Sequence, residues 1–330
     1  MAYFRAFMLT ALSLAATINL LAQDDDPIRI DSSIVRLNVG VADARGRPVT
    51  DLNKANFEIF EDGVKQQILR FEPTDAPFSV VIMLDMSGST LGFRQVIKQS
   101  AVRFIDALSP NDRVAVIEFY DKINLRNDFT TDRGTIANSI AVANGRGKTQ
   151  LYKALDFALE KLAKEKSRRK AIIVLTDGVD TAVKDKDRET LEPLKDDQIA
   201  TAIKPDASDI LNRVLNRSDA QGVTIYPLML PTGDPDKLAD PTLRQLAMFR
   251  AARARLQVVA DRSGGTLNTI NRLEEMGRLY ALVAADLRTL YTIEYQPVND
   301  KRDGKWRSIR IDVKNPDLIS RTRQGYFARQ

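Results

Sequence analysis

Ser79-Val80-Val81-Ile82-Met83-Leu84 runs directly into Asp85-Met86-Ser87-Gly88-Ser89, an apolar stretch handed over to small polar residues and a glycine. An apolar run without polar alternation is what a strand covered on both faces requires, and such strands belong to parallel sheets sandwiched between helices. The polar residues then turn the chain into a helix read from Phe93 to about Leu108. The same grammar repeats downstream. Arg113–Phe119 (RVAVIEF) is a strand, and Leu151–Lys164 is an amphipathic helix with Leu151, Ala154, Leu155, Ala158, Leu159 and Leu162 at helical spacing. Ala171–Thr176 (AIIVLT) and Val223–Leu230 (VTIYPLML) are further strands, Pro227 pointing to an edge or bulge in the second. A helix from about Pro241 to Asp261 stops at Ser263-Gly264-Gly265, and a short strand at Thr266–Ile270 and a helix at Arg272–Leu287 follow. Residues 78–289 are therefore expected to form an α/β domain, a doubly wound, mainly parallel, Rossmann-like sheet. Asp180–Ile210, polar and charged with Pro193 and Pro205, reads as a long surface loop with room for a short helix.

Outside these limits the period falls to two. Val35–Val41 alternates, Arg45-Gly46-Arg47-Pro48 is a turn, Phe57-Glu58-Ile59-Phe60 alternates again, and Glu61-Asp62-Gly63 opens a hairpin into Gln66–Phe71. Leu290–Tyr295, Trp306–Val313 and Leu318–Phe327 repeat the pattern after the last helix. Residues 23–77 and 290–330 are thus β flanks. Because the ends of a doubly wound domain often lie close together, the flanks are expected to co-fold as an Ig-like sandwich into which residues 78–289 are inserted. Residues 1–22 (MAYFRAFMLTALSLAATINLLA) join Arg5 to an apolar run ending before Gln23-Asp24-Asp25-Asp26, as in a cleaved secretory signal. A secreted, periplasmic or cell-envelope location follows, with membrane contact only through that segment if it stays uncleaved.

The 330 residues, 44% of them hydrophobic, can bury a full core and exceed the usual size of one domain. Lys and Arg number 49 against 44 Asp and Glu, and the signs are interleaved rather than blocked, which describes a solvated surface and not a nucleic-acid footprint. His and Cys are both absent. That excludes Ser-His-Asp and Cys-His catalysis, imidazole- or thiolate-held zinc, thiol redox chemistry and disulfides. A metal could be held only by oxygen, which favours Mg²⁺, Mn²⁺ or Ca²⁺.

Three pieces of sequence are candidates to hold one. Asp85-x-Ser87-x-Ser89 follows the first buried strand, Thr149 opens a helix, and Asp177 follows the strand Ala171–Thr176. In an open parallel sheet all three lie at the carboxyl ends of strands, where ligands bind. A hard dication takes about six oxygens. The hydroxyls of Ser87, Ser89 and Thr149 coordinate without cancelling its charge, while Asp85 and Asp177 supply the anionic balance directly or by orienting the ligand hydroxyls.

Together Asp85, Ser87, Ser89, Thr149 and Asp177 resemble the metal-ion-dependent adhesion site of von Willebrand factor type A domains, over roughly residues 78–289. Phe57–Gly63 (FEIFEDG), Leu175–Thr181 (LTDGVDT) and Arg323–Phe327 (RQGYF) resemble a bacterial branch of that family found in acidobacteria. The resemblance implies Mg²⁺ or a related ion and a protein partner whose Asp or Glu carboxylate completes its coordination, hence adhesion or binding and not catalysis. Partner specificity does not carry over, because insertions at roughly 181–209 and 231–253 rim the site. Arg272–Leu287 takes the place of a helix that moves in some family members.

Each feature also has a plainer reading. Asp, Ser and Gly after a strand make turns and helix caps, and the domain could be purely structural. Gly145-Arg146-Gly147-Lys148-Thr149 resembles the end of a phosphate-binding loop, the mark of a nucleotide-binding enzyme, but Val142 stands where that loop needs glycine and no buried strand leads into it. An aspartyl phosphatase built on Asp85 would want a carboxylate where Ser87 stands. Asp180 reads equally as a solvated loop residue and as support for the site. Arg250, Arg253 and Arg255 read as the wet side of a helix, and Tyr291, Tyr295, Trp306, Tyr326 and Phe327 as the core of the β part.

Overall fold

A computed structural model describes residues 34–329 apart from 167, 233–239, 271, 273 and 274, so the signal segment expected at residues 1–22 lies outside the described residues. Strands β1 (Val35–Asp43), β2 (Phe57–Glu61), β3 (Val64–Gln66) and β4 (Ile68–Glu72) come first. The α/β part follows as β5 (Phe78–Asp85), α1 (Arg94–Ala107), β6 (Arg113–Phe119), β7 (Ile123–Thr130), α2 (Arg133–Val142), α3 (Leu151–Ala163), β8 (Arg169–Thr176), α4 (Thr181–Leu191), α5 (Asp196–Ala202), α6 (Asp209–Gln221), β9 (Val223–Met229), α7 (Leu243–Ser263), β10 (Asn268–Thr269) and α8 (Met276–Leu287). The chain closes with β11 (Leu290–Tyr295), β12 (Trp306–Val313), β13 (Leu318–Arg321) and β14 (Gly325–Phe327).

The large sheet has the order β10-β9-β8-β5-β6-β7. All neighbours are parallel except β6 and β7, which pair antiparallel. Every residue of β5, β8 and β9 is buried, as their unbroken apolar runs require. One face carries Val80, Ile82 and Leu84 under Phe104 of α1, Ile136 of α2 and Tyr280 of α8. The other carries Val81 and Met83 under Leu155 of α3, Val214 of α6 and Leu256 of α7. This is an α/β fold with a mixed sheet between helical layers.

Strands from the two ends of the chain pair with one another. β1 lies between β11 and β13 in a sheet ordered β13-β1-β11-β4, and β12 lies between β2 and β14 in one ordered β14-β12-β2-β3. Leu37 and Val39 of the first sheet and Ile59 and Ile311 of the second meet in one apolar cluster with Tyr291 and Tyr295. Polar contacts fasten these strands to the α/β part. The Asn38 side-chain amide of β1 donates to Thr224 Oγ1 of β9 at 2.8 Å, and Arg321 Nη2 donates to both carboxylate oxygens of Asp286 of α8 at 2.7 Å. α6 stops at Gly222, whose φ of +62° favours glycine and where a Cβ would stand 2.7 Å from the Arg36 Cβ of β1.

Three expectations are corrected. Asp180–Ile210 is not a long loop: α4 and α5 occupy most of it, α4 starting on the Asp180 side chain, which accepts from the Ala182 and Val183 N–H groups. Two elements were not foreseen, α2 and the antiparallel edge strand β7, whose half-exposed INLRNDFT shows no clean alternation. Arg255 does not face water; it is buried and grips Asp187 of α4 with two bonds of 2.7 Å. Trp306 is 40% exposed on β12, edge-on to Phe327, and not part of the core.

Candidate metal centre

β5 and β8 are adjacent and parallel, so their carboxyl ends bring Asp85 and the Thr176-Asp177 pair to the same edge of the sheet. Asp85 is fully buried. Its Oδ1 accepts from the Ser87 N–H at 3.0 Å and its Oδ2 from the Thr176 hydroxyl at 2.8 Å. The chain leaves β5 through a 3-10 turn at Gly88–Phe93, held by Thr90 Oγ1, which donates to the Asp85 carbonyl at 2.9 Å. That turn sets Ser87 Oγ 3.2 Å from Ser89 Oγ, and Ser89 donates to Asp177 Oδ2 at 2.6 Å. Four of the five candidate residues therefore form one continuous oxygen cluster, in which Ser89 is the exposed member.

Thr149 reaches the place by a different route. Gly147 and Gly88 join through the Gly88 N–H donating to the Gly147 carbonyl at 3.0 Å, which lays the loop before α3 against the turn after β5. Asp121 holds that loop from beneath, accepting from the Lys148 N–H at 2.7 Å, and the left-handed φ of Gly147 (+87°) lets the chain pass where a Cβ would stand 2.1 Å from Asp121 Oδ2. The Thr149 N–H donates to Thr181 Oγ1 at 2.9 Å, and the Thr149 hydroxyl makes no hydrogen bond among the described residues. The segment leading into Gly145–Thr149 is helix α2, so the phosphate-loop reading lacks the strand it needs.

Composition does not flag other members of the site. Thr176 and Thr90 brace Asp85 and the turn, and Thr232 Oγ1 donates to Asp177 Oδ2 at 3.3 Å. Thr176 is visible in the run ending Leu175-Thr176-Asp177, whereas nothing near Thr232 marks it. Asp180 is buried; besides starting α4 it accepts from the Tyr152 N–H at 3.3 Å, tying α3 to α4.

The electrostatics are those of an anionic pair out of water. Burial, and then the neighbouring Asp177, push the Asp85 carboxyl up from 3.8 to about 7. Burial raises Asp177 as well, against hydrogen bonds from Ser89 and Val179. Among the described residues, every hydrogen bond to these carboxylates comes from a hydroxyl or a backbone N–H. Buried charges are ordinarily paired or bound to metal. Two buried carboxylates flanked by hydroxyls, with no basic side chain bonded to either, fit the donor set of a hard dication. Among the described residues no group of three or more His, Cys, Asp or Glu could hold a metal, so such an ion would depend on the hydroxyls.

Residues 80–179 match the von Willebrand factor type A domain family. An uncharacterised protein of Synechocystis sp. is 33% identical over 106 residues, which is 31% of this chain and 25% of that protein, so the chain spans about a quarter of this curated relative. Among solved structures, a von Willebrand factor type A protein from Catenulispora acidiphila is similar with 15% identity and a TM-score of 0.47, over 79% of this chain and 51% of that one. The open conformation of the pilus adhesin SpaC from Lactobacillus rhamnosus GG has 12% identity and a TM-score of 0.48, over 83% and 48%.

Proposed function

We propose that this chain is an exported, non-enzymatic adhesion or binding protein whose type A domain holds a divalent cation at the carboxyl edge of the large sheet. The observation that carries the reading is the buried Asp85–Asp177 pair with Ser87 and Ser89 between them. Ser87, Ser89 and Thr149 offer neutral oxygens, and Asp85 and Asp177 orient those hydroxyls or bind directly. The ion is Mg²⁺, Mn²⁺ or Ca²⁺, and it supplies an electrophilic position for an acidic group of a protein partner. The exposure of Ser89 and the unengaged Thr149 hydroxyl leave the cluster approachable from that side. Ser87, standing where a phosphatase needs a general acid, speaks against phosphoryl chemistry.

The flanking sheets, β1 to β4 with β11 to β14, form an Ig-like sandwich that carries the domain spanning 78–289. Residues 1–22 are its export signal. Among the described residues no helix is long and apolar enough to cross a membrane.

Thermal melting tests the reading. An ion at a hundred times its Kd stabilises a folded protein by about 2.7 kcal/mol, so Mg²⁺ or Mn²⁺ raises the melting temperature over that in chelator, and Ser87→Ala abolishes the gain. Equal melting temperatures with ion and with chelator would count against it. A partner captured from the cell envelope must be released by chelator and not be retained by the Ser87→Ala chain.

A further inference from the structure

The oxygen cluster stands at the head of a row of positive charge. Arg94 opens α1 and turns its guanidinium back onto the turn after β5: Nη2 donates to the Met86 carbonyl at 2.9 Å and to the Gly145 carbonyl, and Nη1 to Asn144 Oδ1 at 2.5 Å. Lys98, one helical turn further on, donates to the Ala141 carbonyl of α2 at 2.7 Å. Arg146 is exposed on the loop before α3, next to the Gly147 whose carbonyl accepts from Gly88. Among the described residues none of Arg94, Lys98 and Arg146 forms an ion pair with a carboxylate. They press on one another instead. Burial and then Arg146 hold the Arg94 guanidinium below its ordinary value, and burial and then Arg94 do the same to the Lys98 ammonium. Cations gathered without acids repel one another in the lone chain, and such a surface is complementary to anions brought from outside.

From Lys98 the row continues into an open groove of about 520 Å³ between α1 and α2, lined by Gln95, Lys98, Gln99 and Arg103 of the first helix and Ile140 and Ala141 of the second. Its lining includes no carboxylate to cancel Lys98 and Arg103, and no aromatic ring on which a nucleic-acid base would stack. Arg94 and Lys98 are about 6 Å apart along the helix axis. Alternate residues of an extended chain are about 6.6 Å apart and point to the same side. An extended segment with a carboxylate at every second position therefore keeps pace with the cations.

We propose that the partner held at the cation is an acidic segment, one carboxylate completing the coordination of the ion and the next ones lying along Arg146, Lys98 and Arg103 toward the groove between α1 and α2. The inference rests on the cation reading above and deepens it. The ion takes one acid, and the row beside it selects a run of them.

The test follows, by fluorescence anisotropy, two labelled peptides in a glycine–serine background binding to the purified chain in Mg²⁺ and in chelator: one carries a single Asp, the other four acids at alternate positions. In Mg²⁺ the four-acid peptide should bind about thirtyfold more tightly, fourfold from the choice of acids and roughly threefold for each of two exposed ion pairs. Lys98→Ala combined with Arg146→Ala should bring that preference down to about fourfold. Mn²⁺ titration of both proteins separates the two claims. No ion bound by the wild-type chain would overturn the cation reading and this one with it. An ion bound together with a preference of about fourfold or less, a preference that survives the double substitution, or peptide binding equal in Mg²⁺ and chelator would overturn the acidic segment alone. An oligothymidylate of equal charge that competes as well as the four-acid peptide would show a surface for polyanions of any kind and would overturn it too.

Discussion

Arg323→Ala is expected to lower unfolding stability by about 3 kcal/mol, the lower end of what breaking a buried ion pair costs. Arg323 and Asp219 are both buried. The guanidinium of Arg323 donates to the Asp219 carbonyl at 2.8 Å and its carboxylate at 3.3 Å, and to the Arg36 carbonyl of β1 at 3.2 Å. Arg262 of α7 holds the other Asp219 oxygen at 2.7 Å. Burial raises the Asp219 carboxyl even against both guanidinium groups, so desolvation of this acid is not fully offset with both in place. Removing Arg323 leaves it with one partner and unfastens the C-terminal strand from α6 and β1 together. Urea unfolding at neutral pH measures the loss. A change below about 1 kcal/mol, the range of exposed pairs, would show that the network does not tie the flank to the α/β part.

The second large effect has the opposite sign. Asp85→Asn should raise the stability of the chelator-treated protein at about pH 8 by on the order of a few kcal/mol, while removing its response to cation. The Asp85 carboxyl is raised from 3.8 to about 7 in the folded chain, so between those values the folded state keeps a proton that the unfolded state has released. Stability of the cation-free protein therefore falls as pH rises through that window, and it is the ionised form above it that carries the penalty. Asparagine never ionises, so its advantage is full above about pH 7 and shrinks toward about pH 5. A cation bound there would do in the wild-type chain what the substitution does in the variant, and would have to displace the proton to do so. Unfolding curves at the two pH values, in chelator, decide the matter; an Asn variant less stable than wild type at the higher pH would mean that the carboxylates do not strain the apo site.

Much of this was legible from local pattern, and the exceptions share a cause. β5 and β8 announce themselves because burial on both faces leaves no room for polar residues. Asp85, Ser87, Ser89 and Asp177 are found because parallel pairing carries strand ends to one edge, and the structure brings these four into mutual contact. α4 and α5 were hidden because their support is distant. Asp187 is buried against Arg255, 68 residues away, and Arg244 reaches across to the Leu191 and Leu194 carbonyls. Taken alone, TAVKDKDRETL has only Val183 and Leu191 to bury and reads as loop. The same pair explains Arg255, which periodicity assigns to the wet side of α7. Trp306 sits at an alternating position of β12, but on its outer face, and pattern alone does not say which face is inward. Thr232 joins Asp177 across 55 residues with no motif around it.

The central claim is that the oxygen cluster binds a divalent ion, and titration of the chain with Mn²⁺, reading free ion by electron paramagnetic resonance, tests it most directly. The expected result is a saturable, stoichiometric complex in the wild-type chain that Mg²⁺ displaces, that Lys148→Ala retains and that Asp85→Ala loses. Identical titrations for wild type and Asp85→Ala, or no binding by either, would contradict it.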